Sequence, residues 1–225
     1  MQFGPSEDLD SYPRTLEEDQ GKLEGAGNDL VFAPSAREIY PEGMDYHTHV
    51  TVPYITELHC GASRPGHFTG VATVVTLLFN MTRPDLAVFG EKDFQQLAVI
   101  RKLTRDLHLP IEIVGVPTYR ESDGLAMSSR NKYLSEEERA RAVRLYEMLH
   151  ETAERIRAGR RDYATLADEA VRTLHGEGFH PDYFNIVSSH TLQPADTRDS
   201  EVTILGAAWL GRTRLIDNIS LRLDN

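Results

Sequence analysis

The chain has 225 residues, 40% hydrophobic and 26% charged, which excludes intrinsic disorder and leaves room for one large domain or two modest ones. Its 24 lysines and arginines face 35 acidic residues, a net charge of −11; nucleic-acid binders need a basic stripe, and nucleic acid is therefore not expected as a partner. A single cysteine, Cys60, rules out an internal disulfide and any cysteine-based zinc site.

The first 28 residues are polar and turn-rich, with a short helix predicted from Leu16 to Leu23. They contain no basic and then apolar run of the kind that opens a secretory signal, so the cytoplasm is the expected location. Asp29 to Pro34 reads as a buried strand, and residues 45–59 as a small exposed β segment. Apolar residues from His67 to Met81 follow helical spacing, and their β-branched content predicts burial on more than one face. This stretch holds the longest apolar run, Val71 to Phe79, broken by Thr73 and Thr76; it is far below the roughly 18 residues of a membrane span.

Leu86 to Phe89 is a second short strand, Phe94 to Leu107 a second helix, and Ile111 to Val116 a third strand stopped by Pro117. Strand, helix, strand, helix, strand is the order of a parallel sheet with crossover helices. After Pro117 comes a polar loop, Tyr119 to Asn131, and then a capping box at Ser135 and Glu138 that opens a long helix to Arg157. A helix from Tyr163 to Leu174 follows. Strands at Tyr183–Val187, Val202–Trp209 and Thr213–Ile216 come next, the last two joined as a hairpin across Gly211. The expected organisation is an α/β domain over residues 1–117 and a smaller α+β domain over 118–225.

Three local constellations carry candidate chemistry. Gly90-Glu91-Lys92-Asp93 lies between a strand's carboxyl end and a helix N-terminus, where open α/β sheets hold anionic ligands. Lys92 offers a point charge for phosphate, Asp93 caps the helix or holds a ribose, and one of Gln95 and Gln96 in the next turn faces the same cleft; the plainer alternative is a solvated turn with Lys92 and Asp93 facing water and the glutamines exposed. Met127-Ser128-Ser129-Arg130-Asn131 offers two hydroxyls and a guanidinium fork to a phosphate, or else forms an ordinary turn in which a serine caps and Arg130 pairs with a surface carboxylate. Arg64-Pro65-Gly66-His67 puts a cation and an imidazole at a helix start, where the helix dipole favours neutral histidine and capping is the plainer role. The other eight histidines have no metal-ligand spacing and read as surface residues, and no residue beside Cys60 marks it as a nucleophile.

Six blocks in order, Met1-Gln2-Phe3, Asp10 to Thr15, Ser63 to Phe68, Phe89 to Leu97, Asp123 to Asn131 and Ala207 to Gly211, resemble the pantothenate synthetase (pantoate–β-alanine ligase) family along essentially the whole chain. The resemblance implies a Rossmann-like nucleotide- and pantoate-binding domain and a C-terminal lid. The implied reaction is ATP- and Mg²⁺-dependent condensation of (R)-pantoate with β-alanine through a pantoyl adenylate, in a cytoplasmic homodimer. It gives Lys92, Ser128, Ser129 and Arg130 catalytic roles. Gly90, Glu91, Lys92, Asp93, the Tyr119 backbone and Met127 to Arg130 go to the nucleotide, and Gln2 and Gln96 to pantoate. It also implies a departure: the family opens with a strand and a His-x-Gly-His loop, and this sequence starts after them, so the Rossmann-like domain is expected to be incomplete, with an open sheet edge and an uncovered apolar face. A catalytically silent remnant that keeps part of a nucleotide pocket and a dimer surface is the alternative on that basis.

Overall fold

A computed structural model describes residues 15–223; the expectation for Gln2 falls outside them. Helix α1 (Leu16–Gly25) buries no residue, and α2 (Ala36–Ile39) is one turn closed by a Ser35–Glu38 capping box. The strand expected at 29–34 does not form. Leu30, Val31 and Phe32 are 83%, 40% and 50% exposed, because an apolar run becomes a strand only beside a ladder partner and none among the described residues lies next to it. The β segment expected at 45–59 is likewise turns and one 3₁₀ turn, Met44–Tyr46. Pro53 has no N–H to give a ladder, and Tyr54 (φ 70°) and His59 (φ 46°) take left-handed angles that end any extended run.

Next come α3 (Cys60–Ser63), α4 (His67–Thr82), β1 (Leu86–Gly90), a 3₁₀ turn (Glu91–Asp93), α5 (Phe94–Asp106) and β2 (Glu112–Val116). The two strands pair in parallel from Leu86↔Glu112 to Gly90↔Val116, with α5 as the crossover. The parallel sheet thus has two described strands, one fewer than the apolar runs suggest. Phe68, Ala72 and Phe79 of α4 meet Val99, Ile100 and Leu103 of α5 in a core that takes in Ala87, Phe89, Ile111 and Ile113 from the sheet region. Leu86 and Val88, on the opposite face of β1, are about half exposed.

Gly61 shows how tightly this unit packs. A Cβ there would lie 1.9 Å from the Thr56 carbonyl oxygen and 2.6 Å from its carbon, both backbone atoms. Gly61→Ala is therefore expected to cost about 1–3 kcal/mol in urea unfolding, as overpacking does. An unchanged midpoint would show that residues 56–61 give way freely.

The second unit runs α6 (Glu136–Ala142), α7 (Arg144–Arg157), α8 (Tyr163–Gly176), β3 (His180–Ser188), β4 (Glu201–Leu210) and β5 (Thr213–Arg222). The capping box forms as read: Ser135 Oγ accepts from the Glu138 amide (3.2 Å), and Glu138 accepts from the Ser135 amide (2.8 Å). The expected single helix is two, interrupted at Val143, whose angles (φ −60°, ψ −24°) lean toward 3₁₀. The strands form an antiparallel sheet in the order β3-β4-β5, and Gly211 (φ 54°) makes the β4–β5 hairpin turn. On one face Leu145, Leu149 and Ile156 of α7 and Leu166 and Leu174 of α8 pack on Ile204 and Leu210. On the other, Val187, Leu192 and Leu205 pack on Phe94 and Ala98 of α5, with Ile55 and Leu58. β4 is buried almost throughout because both faces of the sheet are covered. This second packing brings the turn after β1 against β5.

Candidate active site

Between the two units lies a cavity of about 750 Å³, within the size range of small-molecule sites. Five cationic side chains line it: Arg64, Lys92, Arg130, Arg212 and Arg214. Three carboxylates also line it, but Asp182 is bound to Arg214 and Asp217 to Arg120, both at 2.6 Å, which leaves Asp93. A chain of net charge −11 has thus gathered positive charge in one recess, the arrangement that draws in a polyanion.

Lys92 reaches this recess because β1 ends at Gly90 and one 3₁₀ turn separates the strand from α5. Among the described residues no carboxylate pairs with its ammonium. Gln96, Asp93 and His67 line the same cavity; His67 is the first residue of α4, with Arg64 Nη1 3.0 Å from its Nε2, and Gly66 rather than a histidine is the cap. Asp93 makes no capping bond with its side chain.

Met127, Ser128, Ser129 and Arg130 line the same cavity from the loop that precedes the second unit's helices. Their loop is firmly held. Arg120 and Ala126 bridge its base, and Gly124 turns it with φ 100°, where a Cβ would strike the Tyr146 ring at 2.7 Å. Arg139 clamps both Glu121 and Asp123 at 2.6 Å, and these bonds hold both carboxyls below the usual carboxylate range. Asn131 donates to Glu121 (3.0 Å) and to the Ala126 carbonyl (3.1 Å). Ser128 Oγ accepts from the Arg130 amide at 3.3 Å, so this serine caps a turn and lines the cavity together. Gly90, Glu91 and Tyr119 are not part of the lining; the Tyr119 ring faces solvent, and its carbonyl accepts from the Met127 amide at 2.9 Å.

Of the two adjacent glutamines, Gln96 is the one that lines this cavity; Gln95 is 5% exposed, accepts from the Cys60 amide (3.0 Å) and donates to the carbonyls of Ile55 (2.8 Å) and Leu58 (2.7 Å). Cys60 has partners from the second sheet, with the Tyr183 hydroxyl 3.0 Å from its sulfur and the Arg214 guanidinium at 3.5 Å. Burial, with Cys60 beside it, pushes the Tyr183 phenol well up. Arg212, Arg214 and Asp217 escaped local reading altogether. Arg212 and Arg214 alternate along the chain just past the Gly211 turn, a period-two pair of cations that was the available signal.

His59 is not a surface histidine. Its Nε2 lies 2.9 Å from the Leu192 carbonyl and its Nδ1 2.8 Å from Asn185 Nδ2, so the neutral Nε2–H form satisfies both partners. Burial lowers its pKa from the ordinary 6.5, partly offset by the Leu192 bond. A buried neutral histidine contributes its full stability above the unfolded value and loses it as pH falls toward the lower folded value. Lowering pH from about 7.5 to about 5.5 is therefore expected to destabilise the protein, and His59→Gln to flatten that dependence in urea melts. An equal slope in the variant would assign the loss to other groups.

Fold and cavity together define an α/β protein with a cation-lined recess at its parallel strand ends, closed by a second, antiparallel sheet. More particularly, the chain belongs to the Pantoate-beta-alanine ligase family, whose sequence profile it matches over residues 1–220. It is 64% identical over 221 residues to a pantothenate synthetase of Marinobacter nauticus, covering 98% of this chain and 78% of that protein. With one from Pseudomonas aeruginosa it shares 57% over 224 residues, covering 100% and 79%. The solved pantothenate synthetase of Thermus thermophilus superposes with a TM-score of 0.90 at 48% identity, covering 97% of this chain and 79% of that one. A Francisella tularensis pantoate-beta-alanine ligase, solved in complex with beta-gamma ATP and beta-alanine, gives 0.78 at 32% identity, covering 97% and 74%. Among the described residues no helix is long and apolar enough to cross a membrane.

Proposed function

We propose that the chain condenses (R)-pantoate with β-alanine using ATP, giving pantothenate, AMP and diphosphate through a pantoyl adenylate. The observation that carries this reading is the convergence of Lys92 with the Ser128–Arg130 loop on one cavity, from segments far apart in the sequence. A pantoate carboxylate oxygen attacks the α-phosphorus, and the bond from that phosphorus to the bridging oxygen breaks as diphosphate leaves. The β-alanine amine then attacks the pantoyl carbonyl carbon, loses a proton, and the carbon–oxygen bond to AMP breaks. Charge builds on the departing diphosphate in the first step. Lys92, the Arg130 fork and the Ser128 and Ser129 hydroxyls are the donors assigned to it, held in place before the reaction begins.

The same reading gives the Gly90–Asp93 turn and Met127 to the nucleotide, and the Tyr119 backbone to adenine. It gives Gln96, with Gln2, to pantoate. It divides the chain into domains at 117/118, with residues 125–223 supplying the buried members of one core and residues 52–103 those of another, against which Tyr183 also packs, and it carries a cytoplasmic homodimer. Mg²⁺ fits as an ion carried on the nucleotide: no three His, Cys, Asp or Glu side chains gather to cage a metal among the described residues, and Asp93 is the cavity carboxylate without an arginine partner among them. Binding through phosphates and one carboxylate is common for Mg²⁺, which when bound offsets phosphate charge.

Protein supplied with ATP, Mg²⁺, pantoate and β-alanine is expected to release AMP and diphosphate one for one with pantothenate, and neither without pantoate. Release of ADP and phosphate instead would overturn the reading. Gln96→Ala should weaken apparent pantoate affinity by roughly 1–3 kcal/mol and leave that for ATP in place. An unmoved pantoate constant would remove Gln96 from the site.

A further inference from the structure

We infer that Asn218 is a positioning residue for Lys92, latching the turn that carries it onto the second sheet. Asn218 lies on β5 and is 8% exposed. Its Nδ2 donates to two successive backbone carbonyls, Glu91 and Lys92, each at 2.9 Å. Both hydrogens of the carboxamide are thus engaged by the 3₁₀ turn between β1 and α5. The residue before it is fixed in turn: Asp217 accepts the Arg120 fork (2.6 and 3.0 Å) and the Asn218 amide (2.8 Å).

The neighbouring packing makes this pair of bonds decisive. Val187, Leu192 and Leu205 meet Phe94 and Ala98 through apolar contacts, which have no preferred direction and tolerate sliding. Hydrogen bonds have direction, and two from one planar group to adjacent carbonyls fix both the distance and the rotation of the turn. The Lys92 ammonium is mounted on that turn, so its placement toward the phosphates depends on a side chain more than 100 residues away that does not itself line the cavity. Glutamate or aspartate cannot replace the carboxamide: a carboxylate has no hydrogen to give and would face two carbonyl oxygens.

The inference rests on the reading of Lys92 as the phosphate cation, and a double-mutant cycle separates the two. Asn218→Ala is expected to lower kcat by about tenfold to a hundredfold, as a misplaced catalytic group does, with the pantoate KM changed less than about twofold. In a Lys92→Ala background the same substitution should have almost no further effect, because the group it positions is gone. Multiplying losses in the double variant, with Lys92→Ala severe alone, would overturn the inference and leave the Lys92 reading standing. Normal turnover in Lys92→Ala would overturn both. A readout independent of the variants' folding is solvent exchange of the Asn218 carboxamide protons in the unsubstituted protein, followed by NMR. Slow exchange supports the latch, and exchange at the rate of a free carboxamide would overturn it.

Discussion

Lys92→Ala and Arg130→Ala are each expected to slow pantothenate formation by about 10² to 10³, the loss seen when one preorganised donor to a developing negative charge is removed. Both side chains line the cavity from opposite units, Lys92 from the turn after β1 and Arg130 from the clamped loop. The charge they answer grows as diphosphate leaves, so turnover should fall more than substrate affinity. The double variant should lose less than the product of the single losses, since both act on one transition state. Neither substitution touches a core cluster, and thermal unfolding should remain cooperative. Near-normal turnover in Arg130→Ala would reduce the loop to an ordinary turn.

Arg120→Ala is expected to destabilise the protein by about 3–5 kcal/mol, the cost of stripping the partner from a buried charge. The Asp217 side chain is 4% exposed and that of Arg120 21%. Without the guanidinium fork Asp217 keeps only the Asn218 amide among the bonds described, and the loop loses the Arg120 bond to the Gly124 carbonyl (3.1 Å). The guanidinium also sits 3.9 Å from the centre of the Tyr146 ring, a further attraction that disappears. Urea unfolding of Arg120→Ala, Asp217→Asn and the double variant is the measurement. The double should recover part of the loss, because a neutral amide tolerates the missing cation. A change below about 1 kcal/mol in Arg120→Ala would mean that water replaces the guanidinium without penalty.

The residues that were legible in the sequence are those whose partners are near in the chain. Gly90 to Asp93 could be read as a strand-to-helix turn from the apolar run before it and the helical period after it. The Ser135–Glu138 box has both of its bonds within one turn. The Met127–Arg130 loop was recognisable through its residue types and the family likeness. What was not legible depends on distant partners. Gln95 and Gln96 are adjacent and chemically identical, yet one commits its carboxamide to the Cys60, Ile55 and Leu58 backbone and only the other lines the main cavity. Leu30 to Phe32 has strand composition and no ladder neighbour among the described residues. His59, Arg214 and Asn218 acquire their meaning when β5 and the segment after β3 fold back on the first unit, and Asp217 when β5 meets Arg120 of the distant loop; no local period announces those contacts.

On the proposed route the pantoate carboxylate itself is joined to AMP before the amide forms. Pantoate labelled with ¹⁸O at both carboxylate oxygens, turned over with ATP and β-alanine, tests this by mass spectrometry of the products. The adenylate route puts one ¹⁸O in AMP and leaves one in pantothenate, because the oxygen that attacked phosphorus departs with AMP. Unlabelled AMP, with ¹⁸O in inorganic phosphate instead, would contradict it.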